Sequence, residues 1–494
     1  MQENENRAPI PITTLIVHTK FHLDEAMALF LLTNFGEKFF PGVSKARVRF
    51  TQGLQKQADD TPFDQRKMLP LGCGGGRFDE HRGESERLPN ECATTLVAKY
   101  LGVHEDPCLK RIIAEVLRCD TKAGVKSTEL AEIIKMATRR LTENEPVLTW
   151  GMKVLHALHS HLFLNSDRVT GEKTLEVLFK DLVGKNRFPN EKARLYMEKL
   201  VRESMERKDD SIMELSFLTE CLYRTDKDGD AVDFVRFALD HMYNDQLEFQ
   251  KAVAECMKGE WFSFSALCNR KGRRERTMQL KGLIIKTDSP LVQRAARTQE
   301  AGGASVVIIQ KTSGNNVSVF VDASKGINLT AFTRMVRWTE LPKDEKESVS
   351  WENLGNAGVL PQVPNWYFFK KGQMLLNGSL SHTTVQPTSI HQDLLKETAK
   401  CAFHPDSIGR WMRSLNIPIL RKGESTGKNV PASQPTPATT AHAKVKEVVT
   451  QATPTPPQTP TVAKVGEVKE ELTEAERMRK ELERALNGNQ IKAA

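Results

Sequence analysis

The 494-residue chain lacks three features that would place it quickly. None of its eight cysteines forms a Cys-x-x-Cys pair, which argues against a zinc knuckle or a disulfide framework and fits a reducing, cytoplasmic setting. No uninterrupted apolar run is long enough to cross a bilayer, and the polar start, Met1 to Arg7, carries no signal-peptide pattern, so no membrane partner is expected. A strong excess of one charge is also missing. The 71 Lys and Arg against 63 Asp and Glu leave +8, which permits an anionic partner without requiring one. This length exceeds what a single core holds, so two or three domains are expected.

What is present is polar chemistry at the ends of apolar elements. Leu15-Ile16-Val17 reads as a strand ending on His18, and His22, Asp24 and Glu25 follow just before a helical pattern. Open α/β sheets place their active sites in loops after strand carboxyl ends, and imidazole with carboxylate suits Mn²⁺, Zn²⁺ or Fe. The plain alternative is an ordinary strand-turn-helix with a polar loop. A second segment, Gly72-Cys73-Gly74-Gly75-Gly76-Arg77-Phe78-Asp79-Glu80-His81-Arg82, sets a glycine-rich turn before three metal-competent side chains. A third ends a helical pattern on Asp120, close to Gly124. Three ligand-bearing loops of this kind are expected to converge on a two-metal centre.

The pattern divides the chain into an α/β domain over 1–145, a helical region over 146–265 and an α+β domain over 266–415. A Pro/Thr/Ala-rich stretch, 416–470, holds too little apolar surface to offset chain entropy and reads as a disordered linker. Residues 471–488 read as a short tail helix, opened by a capping box at Thr473 and Glu476 and closed by Gly488. Its stripe of Leu472, Met478, Leu482 and Ala485 points to a protein partner. His156 and His159 share a helix face, but Leu155, Leu158 and Leu162 around them read as an amphipathic helix rather than a metal site. Asn269 to Arg276 is a basic loop, able either to track a nucleic-acid backbone or to be plain exposed surface. Strands are expected over 282–286, 304–310 and 317–322, with a hairpin turn at Gly314-Asn315-Asn316, and a helix over 328–339. Trp366 and Tyr367 sit on an aromatic strand that reads as core, with base stacking as the other use.

The His18…Phe21-His22-x-Asp24-Glu25 loop, the Gly-Gly-x-Phe-Asp-x-His segment and Asp120 resemble the DHH phosphoesterase superfamily. The closest branch is the Myg (melanocyte proliferating gene) exonuclease-like family, and the resemblance covers roughly the first 125 residues. It implies an N-terminal DHH-like parallel-sheet domain and phosphoester hydrolysis dependent on Mn²⁺, or on Mg²⁺ or another divalent metal. His18, His22 and Asp24 would hold one cation, with Asp79, His81 and Asp120 completing the cage. Glu25 or Glu80 would orient the water, and Arg77 and Arg82 would meet phosphate, with Lys122 a weaker candidate. The resemblance also implies a second domain that closes over substrate, here through Asn377, Gly378, Ser379 and His382. Two positions depart from the family: Gly72 stands where a metal-bridging aspartate is expected, and Glu80 replaces the first histidine of Asp-His-His. Asp59, Asp60 and Asp64, in the preceding loop, are the acids left to substitute. The expected function is exonuclease-like hydrolysis of RNA or short oligonucleotides. The alternatives are a small-nucleotide phosphodiesterase or pyrophosphatase, and a non-catalytic scaffold, which Gly72 favours.

Overall fold

A computed structural model describes residues 8–54, 57, 59–81, 88–122, 124–163, 174–185, 187–207, 210–225, 229–269, 274–346, 348–378 and 385–414. The expected linker and tail helix lie outside these residues.

Three strands near the amino terminus, β1 (Thr14–His18), β2 (Arg47–Thr51) and β3 (Met68–Pro70), form a parallel sheet in the order β2-β1-β3. Because β1 is central, Leu15, Ile16 and Val17 are all buried, and the run is apolar without alternation. Pro70 is tolerated because β3 is an edge strand. Helix α1 (Leu23–Phe35) is buried continuously from Leu23 to Leu32, as suits a helix with apolar residues on every side. It packs against α3 (Ala93–Leu101), α4 (Pro107–Thr121) and α6 (Glu145–Phe163), while the short α2 (Thr61–Gln65) leads into β3.

Between Pro70 and Cys256 the regular elements among the described residues are helices, apart from a single bridge between Glu129 and Glu214. The further helices are α5 (Leu130–Arg140), α7 (Thr174–Gly184), α8 (Glu191–Glu206), α9 (Leu215–Thr225) and α10 (Asp230–Cys256). One apolar cluster runs from Ile12 to Tyr243, so the small sheet and the helical stretch share a core with no break at 145. On α6, His156 and His159 lie edge-on to Phe30 at 4.8 and 5.7 Å, and burial pulls both imidazoles below their ordinary pKa.

With 27 residues, α10 is about 40 Å long. Its first half buries Ala231 to Tyr243 in the first core, and Phe249, Ala252, Val253 and Cys256 pack under a second sheet. That sheet has seven strands: β4 (Glu260–Cys268), β5 (Arg276–Lys286), β6 (Val306–Gln310), β7 (Val317–Val321), β8 (Gly358–Leu360), β9 (Val363–Phe369) and β10 (Met374–Leu376). Their order is β4-β5-β6-β7-β10-β9-β8, antiparallel throughout except for β5 and β6, which are joined through α11 (Val292–Ala295). One face packs on α10 and α11, and the other on α12 (Thr330–Glu340) and α13 (Gln392–Cys401), followed by α14 (Pro405–Ser414). Trp366 is fully buried on the α12 side, in keeping with the core reading.

The hairpin expected at Gly314–Asn316 joins β6 to β7, with Gln310 opposite Val317. The chief difference is β4. The helical region is expected to reach 265, yet Glu260 starts a strand in which Phe262, Phe264, Ala266 and Cys268 alternate inward. Nine residue pairs with β5 hold it, and β5 accordingly begins at Arg276 rather than Gly282. Of the basic loop, 270–273 lie outside the described residues; its ends meet where Asn269 donates to Glu275 at 2.8 Å. Among the described residues no helix is long and apolar enough to cross a membrane.

Candidate metal centre

β1 delivers His18 at its last residue, and α1 begins five residues later at Leu23 with His22 as its exposed N-cap. Glu25 ties this turn together. Its Oε1 accepts from the His18 amide at 3.0 Å and lies 2.7 Å from His18 Nδ1, while Oε2 accepts from the His22 amide at 2.7 Å. Glu25 therefore stands behind the imidazole, an arrangement that fixes the ring's orientation and raises its basicity. The hydrogen bond from Glu25 outweighs burial and lifts the His18 pKa above its ordinary value, helped by the charges of Asp79 and Glu80.

The glycine-rich turn leaves the end of β3. Gly72, Gly74 and Gly75 all adopt the left-handed backbone, with φ of 62°, 79° and 73°, and fold the segment back on itself. The Gly72 amide donates to Phe78 O at 2.9 Å, and the Gly75 amide donates to Asp79 Oδ2 at 2.7 Å. Phe78 anchors the turn against Phe40 and Tyr100, at 6.0 and 5.4 Å. Arg77, expected to meet phosphate, is occupied otherwise: its Nη2 donates to both Asp64 oxygens at 2.7 and 2.5 Å, and its Nε lies 3.3 Å from Asp60. That pairing also engages two of the acids considered as stand-ins for the missing aspartate, and Asp59 accepts from the Thr61 amide at 2.9 Å.

So held, Asp79 and Glu80 are 1% and 4% exposed, and His81 beside them is exposed. One ligand atom from each of Asp79, Glu80 and His81 lies within 4.8 Å of the others. His81 Nδ1 is 3.3 Å from both carboxylates. Burial opposes ionisation of Asp79, but the hydrogen bonds from His81 and from the Gly75 amide prevail and hold its carboxyl below the usual range. Cys73, between these acids, has its thiol pushed up by burial and then by Glu25 and Asp79, so it stays protonated.

Asp24 and Asp120 form a different group. Asp24 accepts from the Ala93 amide at 2.9 Å and the Thr94 amide at 2.8 Å, capping α3 with a carboxylate at the positive end of its dipole. Asp120 and the buried Cys92 each place an atom within 4.8 Å of it. Burial, then Asp24, pushes the Cys92 thiol up. Among the described residues, the six expected ligands thus fall into Asp79 with His81, and Asp24 with Asp120, while His18 and His22 belong to neither cluster. Cys92 was not foreseen; its place just before the first residue of α3 was the available signal.

In the second sheet, Asn377 is 1% exposed and is a structural fastener rather than an open hydrogen-bonding group. Its amide donates to Asn365 O at 2.8 Å and Gln386 O at 3.0 Å, and its oxygen accepts from the Thr388 amide at 2.9 Å. Gly378 turns the chain at φ 83°. Arg82, Ser379 and His382 lie outside the described residues. No family model, curated protein or solved structure matches the chain.

Proposed function

We propose that the chain is a DHH-like, divalent-metal-dependent phosphoesterase that hydrolyses phosphodiester bonds of RNA or short oligonucleotides. The observation that carries the reading is the Asp79–Glu80–His81 cluster: two buried acids and an imidazole within 4.8 Å, one acid held ionised, in the loop following β3. Buried carboxylates crowded together are costly without a cation, and mixed oxygen and nitrogen donors suit Mn²⁺. The residues therefore fit the metal. When bound, such a cation supplies positive charge to the phosphoryl group and a more acidic water near neutral pH.

The remaining roles belong to the chain itself. Asp79, fixed by the Gly75 and His81 amides, is the central ligand. His18 stands outside that group; with Nδ1 turned to Glu25 it presents Nε2 toward substrate, and Glu25 keeps that orientation. His81, exposed at the mouth, is the first of these groups that an incoming phosphodiester meets. A non-catalytic scaffold is the second reading. It is favoured by Gly72, which brings no carboxylate, and by Asp24, whose two oxygens cap α3.

Metal analysis of the purified chain, with a Mn²⁺-dependent hydrolysis screen on single-stranded RNA, separates the two. Wild type is expected to retain metal and turn over RNA, and Asp79→Asn to lose both. Bound metal with no turnover of any phosphodiester favours the scaffold. Turnover unchanged in Asp79→Asn overturns the placement of the centre.

A further inference from the structure

A cavity of about 590 Å³ opens between the carboxyl end of α5, the loop entering α8 and the middle of α10. Ligand pockets of small molecules commonly fall in this size range. Three guanidinium groups line it, those of Arg140, Arg187 and Arg236, against the single carboxylate of Asp240. Asp240 is 3.9 Å from Arg236, its neighbour one turn earlier on α10. Among the described residues, neither Arg140 nor Arg187 makes a salt bridge or a side-chain hydrogen bond, and Arg140 acts on Asp240 only through its charge, after Arg236. Like charges brought to one concavity repel unless an anion joins them. The wall also carries apolar and aromatic surface, from buried Tyr243 and from Phe188. Asn190, in the same wall, caps the 16-residue α8, which adds the positive end of its dipole to the guanidinium groups of Arg140 and Arg187.

We propose that this cavity binds a small phosphate monoester bearing an aromatic group, with the phosphate on Arg140 and Arg187 and the ring against Tyr243 and Phe188. Guanidinium pairs with phosphate through parallel charge-assisted hydrogen bonds, and an aromatic wall gives the rest of the molecule a surface to stack on. This site does not depend on the phosphoesterase reading, since none of its residues belongs to the candidate metal centre.

Calorimetric titration of the full chain, in chelator so that the metal centre is silent, uses adenosine 5′-monophosphate, adenosine and inorganic phosphate as probes. The nucleotide is expected to bind more tightly than phosphate, and adenosine not measurably. Affinity is expected to weaken as salt rises. The double variant Arg140→Ala with Arg187→Ala should weaken nucleotide binding roughly tenfold or more at an unchanged melting temperature, whereas Asp79→Asn leaves it intact. Should the alanine variant not fold, Arg140→Lys with Arg187→Lys keeps the charge but loses the planar fork, and weaker binding is again expected. Equal binding of adenosine, no binding of either phosphate probe, or binding untouched by the arginine variants overturns the proposal.

Discussion

Arg337, in the helix covering the seven-stranded sheet, and Asp79, in the loop beyond the three-stranded sheet, are both charged and almost wholly buried, at 0% and 1% exposure. Their surroundings differ. Arg337 donates to four backbone carbonyls, those of Leu354 at 2.9 Å, Asn356 at 2.8 Å, Gly358 at 2.5 Å and Trp366 at 3.0 Å. It clamps α12 to the strands β8 and β9, and burial lowers its pKa to about 10. Asp79 is steadied by two amides, but its other neighbours are Glu80 and His81, with His18 and Glu25 close enough to share the field. A buried charge completed by backbone dipoles is architecture. Buried acids gathered with an imidazole in one loop, with no such set of backbone partners, are the group proposed above to hold a cation.

The sharpest way to break this comparison is to remove the clamp. Arg337→Met keeps much of the volume but leaves four buried carbonyls without their donor, and should cost about 4 kcal/mol or more in urea unfolding. A loss below about 1 kcal/mol would mean that the carbonyls find other partners and that Arg337 is not architectural. At the other pole, Asp79→Asn keeps the shape but removes the charge, and is expected to weaken Mn²⁺ binding roughly a hundredfold with little change in melting temperature. A variant that binds metal normally but melts early would make Asp79 architectural too.

His241, on α10 between the two regions, sharpens the contrast by pH. Burial, then Arg140, lowers its pKa from 6.5 to about 4. The unfolded chain takes up a proton in that window and the folded chain does not, so stability is whole above pH 6.5 and falls as the pH drops toward 4. The loss is about 3 kcal/mol, and His241→Gln should flatten it in unfolding curves taken across the window. The smallest effect is expected at Gly72. A Cβ there would lie 3.6 Å from Glu25 Cγ, an ordinary contact, but at φ 62°. Gly72→Asp should therefore cost only about 1–2 kcal/mol in melting, while a carboxylate added beside Glu25 raises Mn²⁺ affinity. Unchanged or weaker affinity would show that the position does not face the proposed cation.

Much of the first region is legible in residue order, because its signals are local. The apolar run of β1 announces a strand, and the glycines at 72, 74 and 75 announce a turn. β4 was not legible: its alternation is short and follows 27 helical residues without a break in composition, and its strand state rests on pairing with β5. Side-chain partners were hidden as well. Nothing near Arg77 in the chain says that Asp60 and Asp64 take up its guanidinium, nor near Asn377 that Asn365, Gln386 and Thr388 exhaust its amide.

By itself the order of residues determined that β1 is a strand, that the 72–75 segment turns, and which loops carry acid and imidazole, since hydrophobic period and glycine torsions act over a few residues. Tertiary structure alone decided how those groups divide. Asp24 meets the amides of α3 from 69 and 70 residues away, and Asp79 meets His81 and Glu80 instead. Hydrogen bonds reach only about 3 Å, so chain packing, which spacing along the sequence does not encode, settles which carboxylate caps a helix and which gathers with an acid and an imidazole.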